Sequence, residues 1–229
     1  MKVSFENDQI ESYCNQFQLE RMFSDIDSIP LQLRTYEKNE LILQEGDDLD
    51  GIYLQVKGQT KVTTSVETGK SLLLRFCYPF SIFGDIEIIQ KVPIQSQVKA
   101  LADTCFIFID KQTVEKSLLN DCRFLNELLH HLSYKLQTCT SASRINLLAS
   151  VEERFAIYLL TTRQSNDFGR EIQSQNIPEI ASVIGTTPRH LNRLIQKLSV
   201  SGTLSKKRSS FIVLDWNELD RLSNGLRYY

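Results

Sequence analysis

Five cysteines are all that this chain of 229 residues contains, and they are scattered: Cys14, Cys77, Cys105, Cys122 and Cys139. No two form a CxxC pair and their number is odd. That speaks against a zinc finger or a disulfide framework and for a reducing compartment. Histidine is scarcer still, with His130, His131 and His190 all outside the β-rich part of the chain. A histidine-ligated metal of the cupin kind is therefore not expected there. No run approaches the ~20 apolar residues of a membrane span. The segment from Met1 to Glu20 is polar and mixed in charge, unlike a signal peptide. Positive charge is not in excess: the formal net charge is −2 and the pI about 6.0. Indiscriminate coating of nucleic acid is thus not expected, whereas site-specific binding through a local basic patch is compatible. Nor is there a nucleophile–base–orienter set, a glycine-rich phosphate loop or a metal-ligand spacing, so the chain does not read as an enzyme. What is present is ordinary for a soluble globular protein, 41% hydrophobic and 24% charged residues. The length allows one large or two small domains.

The most informative stretch runs from Asn176 to Asp215. Asn176 is placed to cap a helix, and Pro178 in its first turn has no N–H to lose. Ile180, Ala181 and Ile184 follow at helical spacing, and Gly185 ends the helix. Thr187 is placed to cap a second helix with Leu191, Leu194, Ile195 and Leu198 as its apolar stripe. Helix, short turn, helix is the spacing of a helix-turn-helix, whose second helix enters the DNA major groove. Leu204 and the run Phe211–Leu214 flank Lys206, Lys207 and Arg208 and predict a hairpin with a basic tip, a wing suited to phosphates. From Glu171 to Ser210 six basic residues (Arg189, Arg193, Lys197, Lys206, Lys207, Arg208) face two acidic ones (Glu171, Glu179), a local charge of +4. Apolar spacing alone also fits an ordinary helical hairpin with a solvated face. The capped turn, the polar face of the second helix and the basic wing together separate the two. A closing helix capped at Asp215 carries Trp216, Leu219 and Leu222.

Upstream, the segment to Pro30 reads as amphipathic helix in places. From Leu31 to about Asp110 short β-rich runs alternate with turn signals, including Gly46, Gly58 and Gly69, and predict a small antiparallel sandwich or barrel. From Leu118 to Leu148 there is neither Pro nor Gly. Leu125, Leu129, Leu132, Leu136, Cys139, Ser143 and Asn146 alternate at spacings of four and three, an a/d seam that predicts pairing with a second copy. Leu148 to Ser150 reads as a hinge, with Ser150 capping the next helix, and Gln164 to Gln175 as a polar segment with a turn near Asn166 to Gly169. The expected organisation is α+β: an N-terminal helix and β-roll over residues 1–117, a dimerisation helix and hinge over 118–149, and a winged helix-turn-helix over 150–229.

This order, with the phrases EGDDLDGIYLQVKGQTKV, ETGK, FGDIEII and EIASVIGTTPRHLNRLIQKL, resembles the catabolite-activator and fumarate–nitrate regulator (CRP/FNR) family of bacterial transcription factors. The resemblance covers nearly everything after Pro30. It implies a cyclic-nucleotide-binding-like β-roll and a cytoplasmic homodimer on a near-palindromic operator in double-stranded DNA. It also implies effector control at the β-roll and long helix, contact with RNA polymerase, and no membrane partner. It places Thr187 where the family contacts phosphate, and Pro188, Arg189, Asn192 and Arg193 where members choose their base contacts. Arg189 stands where glutamate is usual, so a donor suited to guanine replaces an acceptor suited to cytosine. Gly84-Asp85 resembles the Gly-Glu pair that holds the ribose of a cyclic nucleotide. Ile94-Gln95 stands in place of the phosphate-binding Arg-Ser, which removes the charge-assisted anchor. Cyclic AMP is therefore not the expected effector, and the sequence does not identify another. Cys139 and Thr140 fall near two hydroxyl residues that contact nucleotide across the family's dimer. The N-terminal cysteine cluster of iron–sulfur members is missing, and no haem ligand stands out. The alternative is an effector-binding regulatory module that works through protein contacts rather than DNA.

Overall fold

The computed structural model describes residues 1–5, 7–65, 71–164, 166–207 and 210–228. It divides into two compact units, Met1–Ser71 with Phe76–Lys135, and Leu72–Arg75 with Leu136–Tyr229.

The first unit is built on strands β1 (Lys2–Ser4), β2 (Gln32–Tyr36), β3 (Leu41–Leu43), β4 (Gly51–Lys57), β5 (Thr60–Ser65), the two ends of β6 (Ser71–Cys77, of which Leu72–Arg75 are counted in the second unit), β7 (Ser81–Phe83), β8 (Gln97–Ala100) and β9 (Thr104–Asp110). Its helices are α1 (Asn7–Phe17), α2 (Asp85–Gln90), α3 (Lys111–Lys116) and the first part of α4 (Cys122–Leu148). Two sheets form, in the orders β1-β2-β9-β4-β7 and β3-β8-β5-β6. The registered pairs are antiparallel, with Tyr53 of β4 opposite Phe108 of β9 and Val62 of β5 opposite Val98 of β8. β4 and β9 are buried along nearly their whole length rather than on alternate residues. Their second face is covered, because helical residues Ile10, Val114, Phe124 and Leu128, with Phe23 from a connecting segment, join the same core. That coverage is why these strands read as continuous apolar runs. Gly51 is glycine for want of space: an added Cβ would lie 2.2 Å from the Ile109 carbonyl oxygen. Gly46 and Gly58 have the positive φ their turns require, at 92° and 88°. Gly69 and the rest of the ETGK turn lie outside the described residues.

Two short strands escaped the sequence reading. β1 is three residues long and pairs with β2, and β7, just after Pro79, pairs with β4. Three residues show too little alternation to register as a strand.

Helix α4 has 27 residues, about 40 Å at 1.5 Å per residue. The expected seam is divided along it. Phe124 and Leu128 are buried in the core of the first unit, and Leu125 and Leu132 pack partly against it. Leu129 and Leu136 stand 62% and 70% exposed.

In the second unit, α4 gives way at Ala149–Ser150 to α5 (Val151–Arg163), then α6 (Asp167–Ile172), α7 (Ile177–Val183), α8 (Pro188–Val200), β10 (Leu204–Lys206), β11 (Phe211–Val213) and α9 (Trp216–Leu222). Ser150 closes a capping box: its Oγ accepts from Glu153 N at 3.2 Å, and Glu153 Oε2 accepts from Ser150 N at 2.6 Å. Every residue of α5 from Phe155 to Thr161 is buried, so this helix is the axis of the unit. The turn expected near Asn166 to Gly169 is instead the start of α6. Asn166 Oδ1 accepts from Gly169 N at 2.6 Å, and Phe168 and Ile172, four apart, form the helix's buried face. A six-residue helix carries too few apolar positions for its period to be seen in sequence.

Candidate nucleic-acid interface

Helix α7 begins at Asn176, but the Asn176 side chain makes no capping bond. The neighbouring Ser174 serves instead: its Oγ accepts from Asn176 N at 3.0 Å and donates to Glu179 Oε2 at 2.6 Å. Ser174 is fixed in turn by the Tyr158 hydroxyl, which accepts from its N at 2.9 Å. At the other end Gly185 takes φ 62°, with Thr186 N donating to Ala181 O at 2.8 Å and Gly185 N to Ser182 O at 3.1 Å. This pair of bonds is a Schellman closure, which needs a left-handed residue and therefore favours glycine. Arg154 braces the turn from behind. Its Nη1 donates to Asn146 O at 2.8 Å, and an added Cβ on Gly185 would come within 3.3 Å of the same nitrogen.

Thr187 caps α8 as expected, its Oγ1 accepting from His190 N at 3.2 Å. Leu191, Leu194, Ile195 and Leu198 bury one face of α8. The opposite face is exposed at Pro188, Arg189, His190, Asn192, Arg193, Gln196, Lys197 and Val200. Arg189, Arg193, Gln196 and Val200 follow at steps of four, three and four, hence along one line of the helix. Gln196 was not singled out from sequence, although its spacing from Arg189 was the signal that would have found it. No ion pair joins Arg189 or Arg193 to a described residue, whereas Lys197 is bound to Glu152 at 2.8 Å. Asn192 is turned back, its Nδ2 donating to Pro188 O at 2.9 Å.

The wing forms as an antiparallel hairpin pairing Leu204 with Val213 and Lys206 with Phe211. Lys207 N donates to Ser210 O at 2.8 Å across its tip, and Lys206 and Lys207 are exposed. Arg208, expected at that tip, lies outside the described residues. Asp215 caps α9 through Glu218 N at 3.0 Å. The second unit thus presents a capped helix, two arginines without ion pairs to described residues, and a basic hairpin tip.

The nucleotide-type residues fall in the first unit, except Cys139 and Thr140, which stand exposed on α4 in the second. Asp85 opens α2 and is 2% exposed. Both its carboxylate oxygens accept from Lys135 Nζ, at 2.7 and 2.8 Å, and the same ammonium donates to Ile82 O at 2.8 Å. Gly84 precedes it at φ 87°. Ile94 is buried and bonded through its main chain to Gly46 and Asp47, while the exposed Gln95 turns its side chain back onto Pro93 O. Beside Lys135, burial and then that ammonium hold the His131 imidazole below its ordinary range. Cys139 is exposed on α4, its Sγ accepting from Arg75 Nη2 at 3.4 Å. Among the described residues no group of three or more His, Cys, Asp or Glu could hold a metal ion, and no helix is long and apolar enough to cross a membrane.

Two family models match the sequence: the cyclic nucleotide-binding domain over residues 33–121 and the Crp-like helix-turn-helix domain over residues 153–222. Among curated proteins, the anaerobic regulatory protein of Bacillus subtilis is 27% identical over 190 residues, covering 79% of each chain. The regulatory protein YeiL of Escherichia coli O157:H7 is 23% identical over 184 residues, covering 80% of this chain and 82% of its own. Among solved structures, a CRP-family transcriptional regulator of Thermus thermophilus superposes with a TM-score of 0.66 at 16% identity, covering 86% of this chain and all of that one. FixK2 of Bradyrhizobium japonicum superposes at 0.63 and 19% identity, covering 83% and 96%. At such identities the structural likeness speaks for the fold.

Proposed function

Because the chain belongs to the CRP/FNR family of helix-turn-helix transcription regulators, we propose that it acts as a cytoplasmic homodimer on a near-palindromic operator. One observation carries this reading: α8 presents Arg189 and Arg193 on one exposed line, without ion pairs to described residues, in the same unit as the wing lysines. The N-terminal half of such a helix meets base edges, and an arginine there pairs in bidentate fashion with guanine O6 and N7. Pro188, Asn192 and Thr187 complete that end of the helix, and Lys206, Lys207 and Arg208 hold the flanking phosphates. Dimerisation follows from the uncovered leucines Leu129 and Leu136, seven residues apart on α4 and more than half exposed. The three-part division at residues 117 and 149 then separates a sensing β-roll, a dimerisation helix and a DNA reader that contacts RNA polymerase.

The effector is not cyclic AMP in this reading. The carboxylate at the ribose position is already taken by Lys135, and Ile94-Gln95 supplies no cation for the phosphate. The signal is received at the β-roll and long helix by other chemistry.

Selection from randomised duplexes with the full chain, followed by mobility shift and sedimentation, tests the proposal. The expected product is a two-fold-symmetric site whose half-site centres lie about 34 Å apart, bound by two chains. A well-folded chain that enriches no sequence would overturn it and favour a module acting through protein contacts.

A further inference from the structure

The last turn of α7 is closed from two sides. Its own chain serves two of the orphaned carbonyls, Thr186 N donating to Ala181 O and Gly185 N to Ser182 O. The next carbonyl, that of Val183, accepts from a different helix: Asn146 Nδ2 on α4 donates to it at 3.3 Å. The same amide supports the turn. A Cβ added to Gly185 would lie 3.7 Å from Asn146 Cγ and 3.3 Å from Arg154 Nη1, so the turn rests on both side chains. Arg154 Nη1 also donates to Asn146 O at 2.8 Å, which fastens the first turn of α5 to the same point of α4. The long helix, α5 and the helix-turn-helix therefore meet at Asn146, and all of these residues belong to the second unit.

Spacing predicts Asn146 in the dimer seam, but in the fold its side chain is turned to the reader. Leu136, Thr140, Ser143 and Leu147 form an exposed line on this part of α4, at steps of four, three and four. Leu136 and Leu147 are 70% and 83% exposed. Ile145 is buried in the core of the unit, and Ala142 packs against that core. One stretch of helix carries both an outward apolar line and, at Asn146, the seat of the helix-turn-helix. Leu136 and Asn146 are separated by about 15 Å of helix.

We propose that Asn146, with Arg154, is a positioning residue for DNA recognition. It holds the DNA-reading helix at a fixed angle to the dimerisation helix, and so sets which separation of half-sites a dimer can read. The inference rests on the homodimer reading above. Neither residue lies on the exposed face of α8 or in the wing, so both act through the turn. Two readers carried by one two-fold dimer must face the same side of the duplex, and an error of angle at this joint is repeated in both halves. The joint is also polar at a cost. Asn146 Oδ1 and Arg154 Nε are buried without a hydrogen-bond partner among the described residues, a penalty that an apolar contact of the same shape would not carry. What the amide adds is direction, because its bond to the Val183 carbonyl fixes where the last turn of α7 sits on α4.

Three duplexes are titrated with the full native chain and with Asn146→Leu, which keeps the bulk of the side chain and removes the donor. One duplex carries a single half-site, one carries two at the selected spacing, and one carries two moved apart by two further base pairs. Circular dichroism and sedimentation establish first that the variant is a folded dimer. The expected half-site affinity is within about twofold of native, while affinity for the two-half-site duplex falls about three- to tenfold, the size of one hydrogen bond. The penalty for the lengthened duplex, whose second half is turned by about 70°, should shrink in the variant. A residue that merely supported the reader would lower half-site and two-half-site affinity by the same factor, and that result overturns the proposal. So does a variant that keeps the native affinities throughout. A native chain that distinguishes none of the duplexes would defeat the DNA-binding reading itself, and the proposal with it. Should Asn146→Leu not form a folded dimer, Arg154→Met takes its place in the same titrations. Failure of both variants to fold overturns the proposal, since the two residues would then be needed by the fold rather than by the reader's angle.

Discussion

Substituting Lys135 by Met would remove a charge while keeping the length and most of the apolar stem of the side chain. Asp85, its partner, has a side chain only 3% exposed, and Lys135 supplies hydrogen bonds to both carboxylate oxygens. In the variant that carboxylate is left buried without its counter-ion. Removing one partner of a buried pair costs about 3–5 kcal/mol. Because the Lys135 side chain is 26% exposed, water reaches part of the site and the lower end, about 3 kcal/mol, is expected. Adding Asp85→Asn should return at least a third of the loss, since a neutral amide is far cheaper to leave buried than a charge. Two probes distinguish the units in urea unfolding. Far-ultraviolet circular dichroism follows the whole chain, whereas fluorescence follows Trp216, the single tryptophan, in the second unit. The expected outcome is a destabilised dichroism transition of the first unit with the Trp216 transition unmoved. A change below about 0.5 kcal/mol, the range of ordinary surface substitutions, would refute the reasoning, as would a double variant less stable than Lys135→Met.

Arg189→Ala should relax the preference at one base pair of each half-site by about 1–3 kcal/mol, and a randomised-site logo that keeps full information everywhere would show that Arg189 reads no base. Lys207→Ala should weaken binding to all duplexes alike and lower the slope of log K against log salt by about one; a loss confined to one operator contradicts a phosphate contact. Leu129→Ala with Leu136→Ala should weaken self-association in sedimentation while leaving each chain folded, because both side chains are exposed within their own chain; an unaltered dimer would remove the seam. His131 titrates below its ordinary range when folded, through burial first and the Lys135 charge second, so protonation favours the unfolded chain. Its stability contribution is complete above the ordinary imidazole value of about 6.5 and is lost as pH falls towards the lowered one. His131→Asn should flatten the fall in unfolding midpoint between pH 7.5 and 5, and an unchanged pH profile would count against it.

Much of the candidate interface is legible before folding because its signals are short-range. Thr187, Ser150 and Asp215 each satisfy an amide three residues ahead, and Gly185 answers to a φ of 62° set by its own turn. Such contacts are written within one helical turn, so residue type and spacing suffice to place the two helices, the basic hairpin and the long helix of α4. Asn176 shows the limit of that logic. It occupies the cap position, but Ser174, held by Tyr158 from sixteen positions upstream, makes the bond. Short elements such as β1, β7 and α6 also carried too little pattern to be seen.

Only the tertiary structure decides contacts whose partners lie far apart in the chain. An apolar seam does not say which leucines face their own core and which are left over, and packing divided Leu125 and Leu132 from Leu129 and Leu136. No spacing rule brings Lys135 to Asp85, fifty positions away. Periodicity places a residue on a face of its element, but what that face meets depends on how the elements close around a core. The identity of the DNA-reading helix is therefore a property of the sequence, whereas the occupation of the nucleotide-type position is a property of the fold.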